Sequence, residues 1–264
     1  MILAGGQSLV AAMNFRLAAP SRLIDITRIP DLDRIAVTAE GVAVGAAVRH
    51  RTLERHDGAH AVNPLIRAAQ AHVAHVPIRN RGTVVGSLCH ADAAAEMPLV
   101  LLLCDGWVEL EGPGGNRRIP AEQFFRMHLT TARASDELAT RAVFPALPPD
   151  AGWAFAEFAR RKGDYAIAAV GAIVQCDAGG RITRARLAAC GISSKPVRLG
   201  RAEAALAGGT ADATAAAEAG RAAATHVDAA DDSIATAAYR RHLVAALTER
   251  VVAEAAARAR RGTE

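Results

Sequence analysis

Two short stretches of this chain combine residue types that could hold an anion. The first is Ala4-Gly5-Gly6-Gln7-Ser8-Leu9, directly after the apolar pair Ile2-Leu3. Adjacent glycines accept positive φ angles and let a backbone approach a ligand closely. Successive N–H groups in such a turn can form a nest for a diphosphate, and Ser8 adds a hydroxyl donor. Taken alone, the stretch also reads as an ordinary strand-to-loop turn. The second runs from Ile78-Arg79-Asn80-Arg81-Gly82-Thr83 through Val84-Val85-Gly86-Ser87-Leu88-Cys89 to His90-Ala91-Asp92. It mixes glycines, hydroxyls and small residues, and could wrap a cofactor through its amides, Thr83 and Ser87. A surface loop with structural arginines is the plainer reading of that composition by itself.

Other reactive residues form weaker patterns. His56 and His60 are four apart, and His72 and His75 three apart, so either pair could face a metal from a helix, but no third ligand is evident and a solvated helix face is the expectation. His90 and Asp92 could be a base and its orienter. Arg160 and Arg161 suit a phosphate or a partner surface, and Trp107 and Trp153 read as core residues. The four cysteines, Cys89, Cys104, Cys176 and Cys190, contain no CxxC pair, which argues against a zinc ribbon or an iron–sulfur loop on this chain. They read as buried free thiols of a reducing compartment.

The elements that must position these residues follow from pattern. Short strands are expected at Arg22–Ile26, Ile35–Val37 and Val42–Val44, and helices near Thr52–Asp57 and Pro64–Val73. Pro77–Leu88 reads as loop and turn, Met97–Leu103 as an apolar run, Trp107–Leu110 as a strand and Glu111–Gly115 as a turn. The prolines at 145, 148 and 149 with Gly152 mark a composition break, placed as a domain boundary between 149 and 150. Beyond it, Trp153–Arg161 is expected to be a strand, Asp164–Val174 an alanine-rich helix and Ile182–Cys190 a strand after a turn at Asp177–Gly180. Two helices are expected near Ala213–Val227 and Ile234–Arg260.

Composition narrows the function classes. With 264 residues, 51% hydrophobic and 22% charged, the chain can bury a real core. A net charge of +4, with basic residues scattered, does not point to nucleic acid. No run of about 18 apolar residues predicts a membrane span, and Met1-Ile2-Leu3 lacks the features of a signal peptide, so a cytoplasmic location is the expectation.

Together the two stretches resemble the FAD-binding medium subunits of the molybdenum hydroxylases, the group that includes carbon monoxide and xanthine dehydrogenase flavoprotein subunits. Ala4–Leu9 resembles their first FAD-diphosphate loop, and Arg79–Thr83 through His90-Ala91-Asp92 resembles the second. Arg160-Arg161-Lys162-Gly163-Asp164-Tyr165-Ala166 is similar to the segment that opens their C-terminal domain, and Ser21–Asp25, Val44-Gly45-Ala46 and Tyr239-Arg240-Arg241 fit family positions. The resemblance implies an α/β (α+β) fold: a two-lobed FAD-binding domain of the p-cresol methylhydroxylase type over 1–149, with lobes of about 1–24 and 25–149, and a smaller α+β C-terminal domain over 150–264. It implies that Ala4, Gly5, Gly6, Gln7, Ser8 and Leu9 contact the diphosphate. Thr83, Val84, Val85, Gly86 and Ser87 would line the second half of the site, and His90 and Asp92 would shape the flavin loop. Glu96 would sit near the adenosine end and Tyr165 near the isoalloxazine. No residue of this chain would be a catalytic acid or base and none a metal ligand.

The implied partners are a small subunit with [2Fe–2S] clusters and a large molybdopterin subunit, with NAD, a quinone or oxygen as electron acceptor. The sequence departs from the family pattern at Val85, where a glycine is usual, at Val76-Pro77, and at Ala93 in place of proline. The first strand and helix that usually precede the Ala-Gly-Gly loop are absent, so a truncated N-terminal lobe is expected. These departures frame an alternative: a scaffold subunit that docks its partners without binding FAD.

Overall fold

The computed structural model describes residues 1–262. The chain opens on β1 (Ile2–Leu3), turns into α1 (Leu9–Asn14), and returns in β2 (Ile24–Asp25), which pairs parallel to β1 with Ile2 opposite Ile24. Of the strand expected over Arg22–Ile26, only these two residues pair. A hairpin of β3 (Ile35–Thr38) and β4 (Gly41–Gly45) follows. Six helices then wind across one side: α2 (His50–Glu54), α3 (Asp57–Val62), α4 (Leu65–Gln70), α5 (Val76–Arg79), α6 (Val84–His90) and α7 (Glu96–Leu103). After them come β5 (Trp107–Gly112), β6 (Gly115–Pro120), α8 (Ala121–Phe124), β7 (Phe125–Met127), β8 (Thr130–Thr131) and β9 (Leu138–Pro145). Strand β9 inserts between β4 and β5, giving an open antiparallel sheet in the order β3-β4-β9-β5-β6. Its inward residues, Val42, Val44, Val108, Ala142 and Phe144, are fully buried beneath the helices.

Two expectations fail here for identifiable reasons. The stretch Pro77–Leu88 is not loop throughout, because it contains α5 and the start of α6. Pro77 occupies the first turn of α5, where a missing N–H costs little. Thr83 caps α6 by accepting a hydrogen bond on Oγ1 from the Gly86 N–H at 3.2 Å. Helices of one or two turns with an internal glycine are invisible to periodicity and are held by tertiary packing. The expected helix Thr52–Asp57 is likewise two elements, α2 and α3, separated at Arg55-His56. His56 accepts a hydrogen bond on Nδ1 from Ala59 N–H (3.1 Å) at the start of α3. His60 is buried with Nε2 3.0 Å from the Glu54 carbonyl oxygen, so this pair is not a solvated helix face.

The second half forms an antiparallel meander of β10 (Gly152–Phe158), β11 (Ala168–Cys176), β12 (Ile182–Cys190) and β13 (Val197–Arg198), followed by α9 (Gly200–Leu206), α10 (Ala213–His226) and α11 (Ala237–Gly262). The helix expected over Asp164–Val174 is instead a loop leading into β11. The cause lies in double-sided burial. Ala168, Val170, Ala172 and Val174 pack against the C-terminal helices, while Ala169 and Ile173 join the core of the first half. A strand covered on both faces loses the apolar–polar alternation by which strands are recognised. Helix α11 lies across β10 and β11, and α10 packs on α11. The approach is so close that a Cβ on Gly152 would strike the Ala255 carbonyl, and one on Gly220 would sit 2.6 Å from the Ala245 carbonyl oxygen. Buried Ala216, Ala219, Ala223, Ala255, Ala256 and Ala259 fill the remaining space, which accounts for the alanine-rich composition.

The two halves share a seam. Helix α7, buried all round, presses against β11 and β12. Asp105, just past α7, forms ion pairs with Arg186 and Arg198, both at 2.7 Å. Trp107 and Trp153 are half-buried, Trp153 packing against the core of the first half, and each is covered by a guanidinium, that of Arg118 at 4.2 Å and that of Arg258 at 4.0 Å from the ring centre. Cys104, Cys176 and Cys190 are buried free thiols, whereas Cys89 is partly exposed.

Candidate functional site

A cavity of about 510 Å³ opens where the β1–α1 turn meets α6, with Leu129 from the β7–β8 turn and Tyr165 from the loop before β11 on its wall. Its floor depends on two glycines. A Cβ on Gly5 would collide with the Arg81 carbonyl and come within 2.6 Å of the Gly82 Cα, so the two distant turns touch backbone to backbone. Gly6 has φ +73°, a conformation that favours glycine. The second turn is pinned from behind: the His50 N–H donates to the Gly82 carbonyl at 3.0 Å, the Val84 N–H to the Val48 carbonyl at 3.0 Å, and the Arg49 guanidinium to the Arg81 carbonyl.

This arrangement leaves a row of donors without acceptors. Among the described residues, none of the backbone N–H groups from Gly5 through Leu9 donates to another group of the chain; the first that does is Val10, to the Gly6 carbonyl at 2.9 Å. Such a row is a ready anion nest. No carboxylate of the described residues lines the cavity, while the Arg133 side chain does. His50 is buried on the wall with Nδ1 3.1 Å from the Gln70 Oε1, and burial pushes its pKa down to about 4, so it is neutral at pH 7. Burial also lowers His90. The remaining wall is apolar, including Ile2, Leu9, Ile26, Ile78 and Leu138. The cleft therefore combines backbone donors for negative charge with a flat, largely apolar enclosure.

Most residues singled out by sequence converge here. Ala4, Gly5, Gly6, Gln7, Ser8, Leu9, Thr83, Val85, Gly86, Ser87, His90 and Tyr165 all line the cavity. Val84, Asp92 and Glu96 do not. Val84 is wholly buried in the core. Asp92 folds back to accept the Ala94 N–H on Oδ1 at 2.8 Å. Glu96 opens α7 and is buried beside Glu157 at the seam; burial first, and then the Glu157 charge, raise its pKa to about 8. His50, Arg133 and Leu129 were missed, since nothing in their local sequence marks them. Val85 does not have a positive φ; it sits in the first turn of α6, so the backbone there makes no demand for glycine.

Comparison with known proteins agrees with this geometry. Residues 1–147 match the FAD binding domain in molybdopterin dehydrogenase, and residues 153–255 match the CO dehydrogenase flavoprotein C-terminal domain. The chain belongs to the FAD-binding medium subunits of the molybdenum hydroxylases. It is 40% identical over 259 residues to the 6-hydroxypseudooxynicotine dehydrogenase complex subunit alpha of Paenarthrobacter nicotinovorans, covering 98% of this chain and 88% of that one. Its structure superposes on quinoline 2-oxidoreductase from Pseudomonas putida 86 with a TM-score of 0.94 at 35% identity, covering 98% of this chain and 90% of that chain. Carbon monoxide dehydrogenase from Hydrogenophaga pseudoflava gives 0.94 at 32% identity with the same coverage. As a medium subunit of this family the chain is an oxidoreductase component, and no described helix is long and apolar enough to cross a membrane. The residues present fit the cofactor: the undonated amides belong to the turn that touches the second glycine turn, and a side chain at Gly5 would intrude on that meeting point.

Proposed function

We propose that the cleft holds one FAD with its diphosphate on the amides of Gly5 to Leu9, and that the chain passes electrons from a [2Fe–2S] subunit to an external acceptor. The observation that carries this reading is the run of unsatisfied N–H groups at the contact between the two glycine turns. Thr83 Oγ1 accepts the Gly86 N–H and so fixes the first turn of α6 beside the same cleft. Ser8 and Ser87 add hydroxyls at the wall, and Tyr165 offers a flat face at the mouth. When bound, FAD supplies the change from one-electron to two-electron chemistry. The chain's own part is to bind, orient and shield, so no acid–base pair is required of it.

The molybdopterin subunit of the complex would act on an N-heteroaromatic compound. Support comes from the names of two similar proteins, one a 6-hydroxypseudooxynicotine dehydrogenase complex subunit and one a quinoline 2-oxidoreductase, at 40% and 35% identity, against 32% for the carbon monoxide enzyme. The test is an anaerobic assay of the three subunits assembled together. Adding a nicotine- or quinoline-type substrate should bleach the flavin absorbance, and NAD, a quinone or oxygen added singly should identify the acceptor by restoring it. Omitting the cluster-bearing subunit should abolish bleaching. Flavin that stays oxidised in the full complex with every such substrate contradicts the proposal. A scaffold without flavin finds no footing at Val85, whose helical backbone is compatible with the cleft.

A further inference from the structure

We propose that Arg240 is a positioning residue that sets Tyr165 at the mouth of the cleft, an inference that rests on the FAD reading above. Tyr165 belongs to the loop between β10 and β11, and its side chain lines the cavity although the residue is 59% exposed. Within the loop, the Arg161–Asp164 ion pair and the Asp164 N–H donating to the Arg161 carbonyl, both at 3.1 Å, close a turn just before Tyr165 but make no bond to Tyr165 itself. The loop is closed at its root by the Ile167 N–H donating to the Phe158 carbonyl at 2.8 Å. Arg240, in the first turns of α11 and only 7% exposed, then grips that root. Its Nη1 donates to the Ile167 carbonyl at 2.7 Å and to the Gly191 carbonyl, while its Nη2 donates to Asp232 Oδ2 at 2.6 Å.

Those two carbonyls join three segments. Gly191 has φ +76°, and a Cβ there would come within 2.8 Å of the Ala166 carbonyl oxygen, so its backbone abuts the residue next to Tyr165. The Gly191 N–H in turn donates to the Ala93 carbonyl at 2.8 Å, in the segment that follows α6. One guanidinium thus couples α11, the Tyr165 loop and the far end of the cofactor helix. The neighbours act in the same sense. The Tyr239 ring meets Phe158 edge-on with centres 6.1 Å apart, and the Arg160 guanidinium donates to the Ile234 carbonyl at 3.0 Å. Asp232 is fixed by the Ile234 and Ala235 N–H groups, so the carboxylate that aims Arg240 is itself held. A planar fork that bonds two carbonyls and a carboxylate at once cannot be replaced by a point charge. Removing it leaves buried carbonyls unpaired and frees the loop root.

The loop carries its own reporter, since Arg161 and Lys162 are exposed tryptic sites beside Tyr165. The experiment uses the full chain in its complex, with Arg240→Met, Arg240→Lys, Tyr165→Ala and the double variant Arg240→Met/Tyr165→Ala. Limited trypsinolysis should cut at Arg161–Lys162 about tenfold faster in Arg240→Met, with other sites unchanged, as expected for local rather than global opening. Arg240→Lys, which keeps the pairing with Asp232, should recover only part of the protection, and it also serves if the Met variant fails to fold. FAD titration is the second arm. Tyr165→Ala and Arg240→Met should each weaken binding about tenfold, and the double variant no more than either alone, because residues acting through one contact are not additive. Effects that multiply, or cleavage that rises equally at all sites or not at all, overturn the proposal. If no variant and not the parent binds FAD, the cofactor reading fails, while the cleavage arm still decides whether Arg240 holds the loop.

Discussion

The cofactor cleft and the C-terminal sheet solve the same packing problem with opposite materials. In the cleft, backbone meets backbone at Gly5 and Gly82, and the empty space left over is the functional surface. Around the C-terminal sheet, backbone also approaches backbone, at Gly152 of β10 against Ala255 and at Gly220 of α10 against Ala245 of α11, but buried alanines fill what remains. The difference shows why small residues do not by themselves announce a site. What separates the two regions is the state of the amide groups: undonated from Gly5 to Leu9, and spent on helix and ladder bonds in the C-terminal elements.

That contrast can be broken most directly at Gly5. Gly5→Ala places a Cβ 2.6 Å from the Gly82 Cα and must part the two turns. Overpacking against fixed backbone costs about 3 kcal/mol, so FAD affinity should fall by at least about 100-fold, measured by flavin fluorescence titration, with helical content by circular dichroism unchanged. The opposite pattern is expected at Gly171. Gly171→Val in β11 would push 2.6 Å from Leu103 Cδ2 and 3.1 Å from Leu99 Cδ2, both wholly buried in α7. It should cost about 2 kcal/mol and lower the Tm by about 6 °C, while FAD affinity stays within about twofold.

The seam supplies a pH-dependent case. Glu96 is held at a pKa of about 8 against an ordinary 4.5, by burial first and then by the charge of Glu157. Between those values the folded chain keeps a proton that the unfolded chain releases, so the residue lowers stability progressively as pH rises from 4.5 to 8. Glu96→Gln should therefore change little at pH 4.5 and stabilise by about 2 kcal/mol at pH 6, read by denaturant unfolding at both pH values. The smallest effect is expected at Gly6, where φ is +73° but a Cβ would meet only the side-chain ends of Val10 and Leu3, at 3.2 and 3.3 Å. Gly6→Ala should cost about 1 kcal/mol of strain and about fivefold in FAD affinity, by the same titration.

How much of this was legible in the sequence follows the same division. The Ala4–Leu9 and Thr83–Ser87 stretches could be read because their glycines and hydroxyls are needed locally, where the backbone turns. The hairpin β3–β4, the strand β12 and the helices α10 and α11 were legible because each keeps a local period or a turn signal. The strand β11 was not, since burial on both faces removed its alternation. Helices α5 and α6 were hidden because each is too short to show a period, and the Thr83 cap of α6 appears only once the chain is folded. At the site, His50 and Arg133 reach the wall from elements whose sequence says nothing of a cleft, and Glu96, singled out for its charge, lies instead in the seam. Long-range approach, rather than local chemistry, decides such positions.

The central claim is that the amides of Gly5 to Leu9 grip the diphosphate of a bound FAD. The direct measurement is the flavin content of the purified chain, from its visible spectrum against protein concentration, beside that of Gly5→Ala. About one FAD per chain is expected in the parent and little in the variant. A parent chain that is colourless and takes up no added FAD, or a Gly5→Ala variant that retains a full complement, would contradict it.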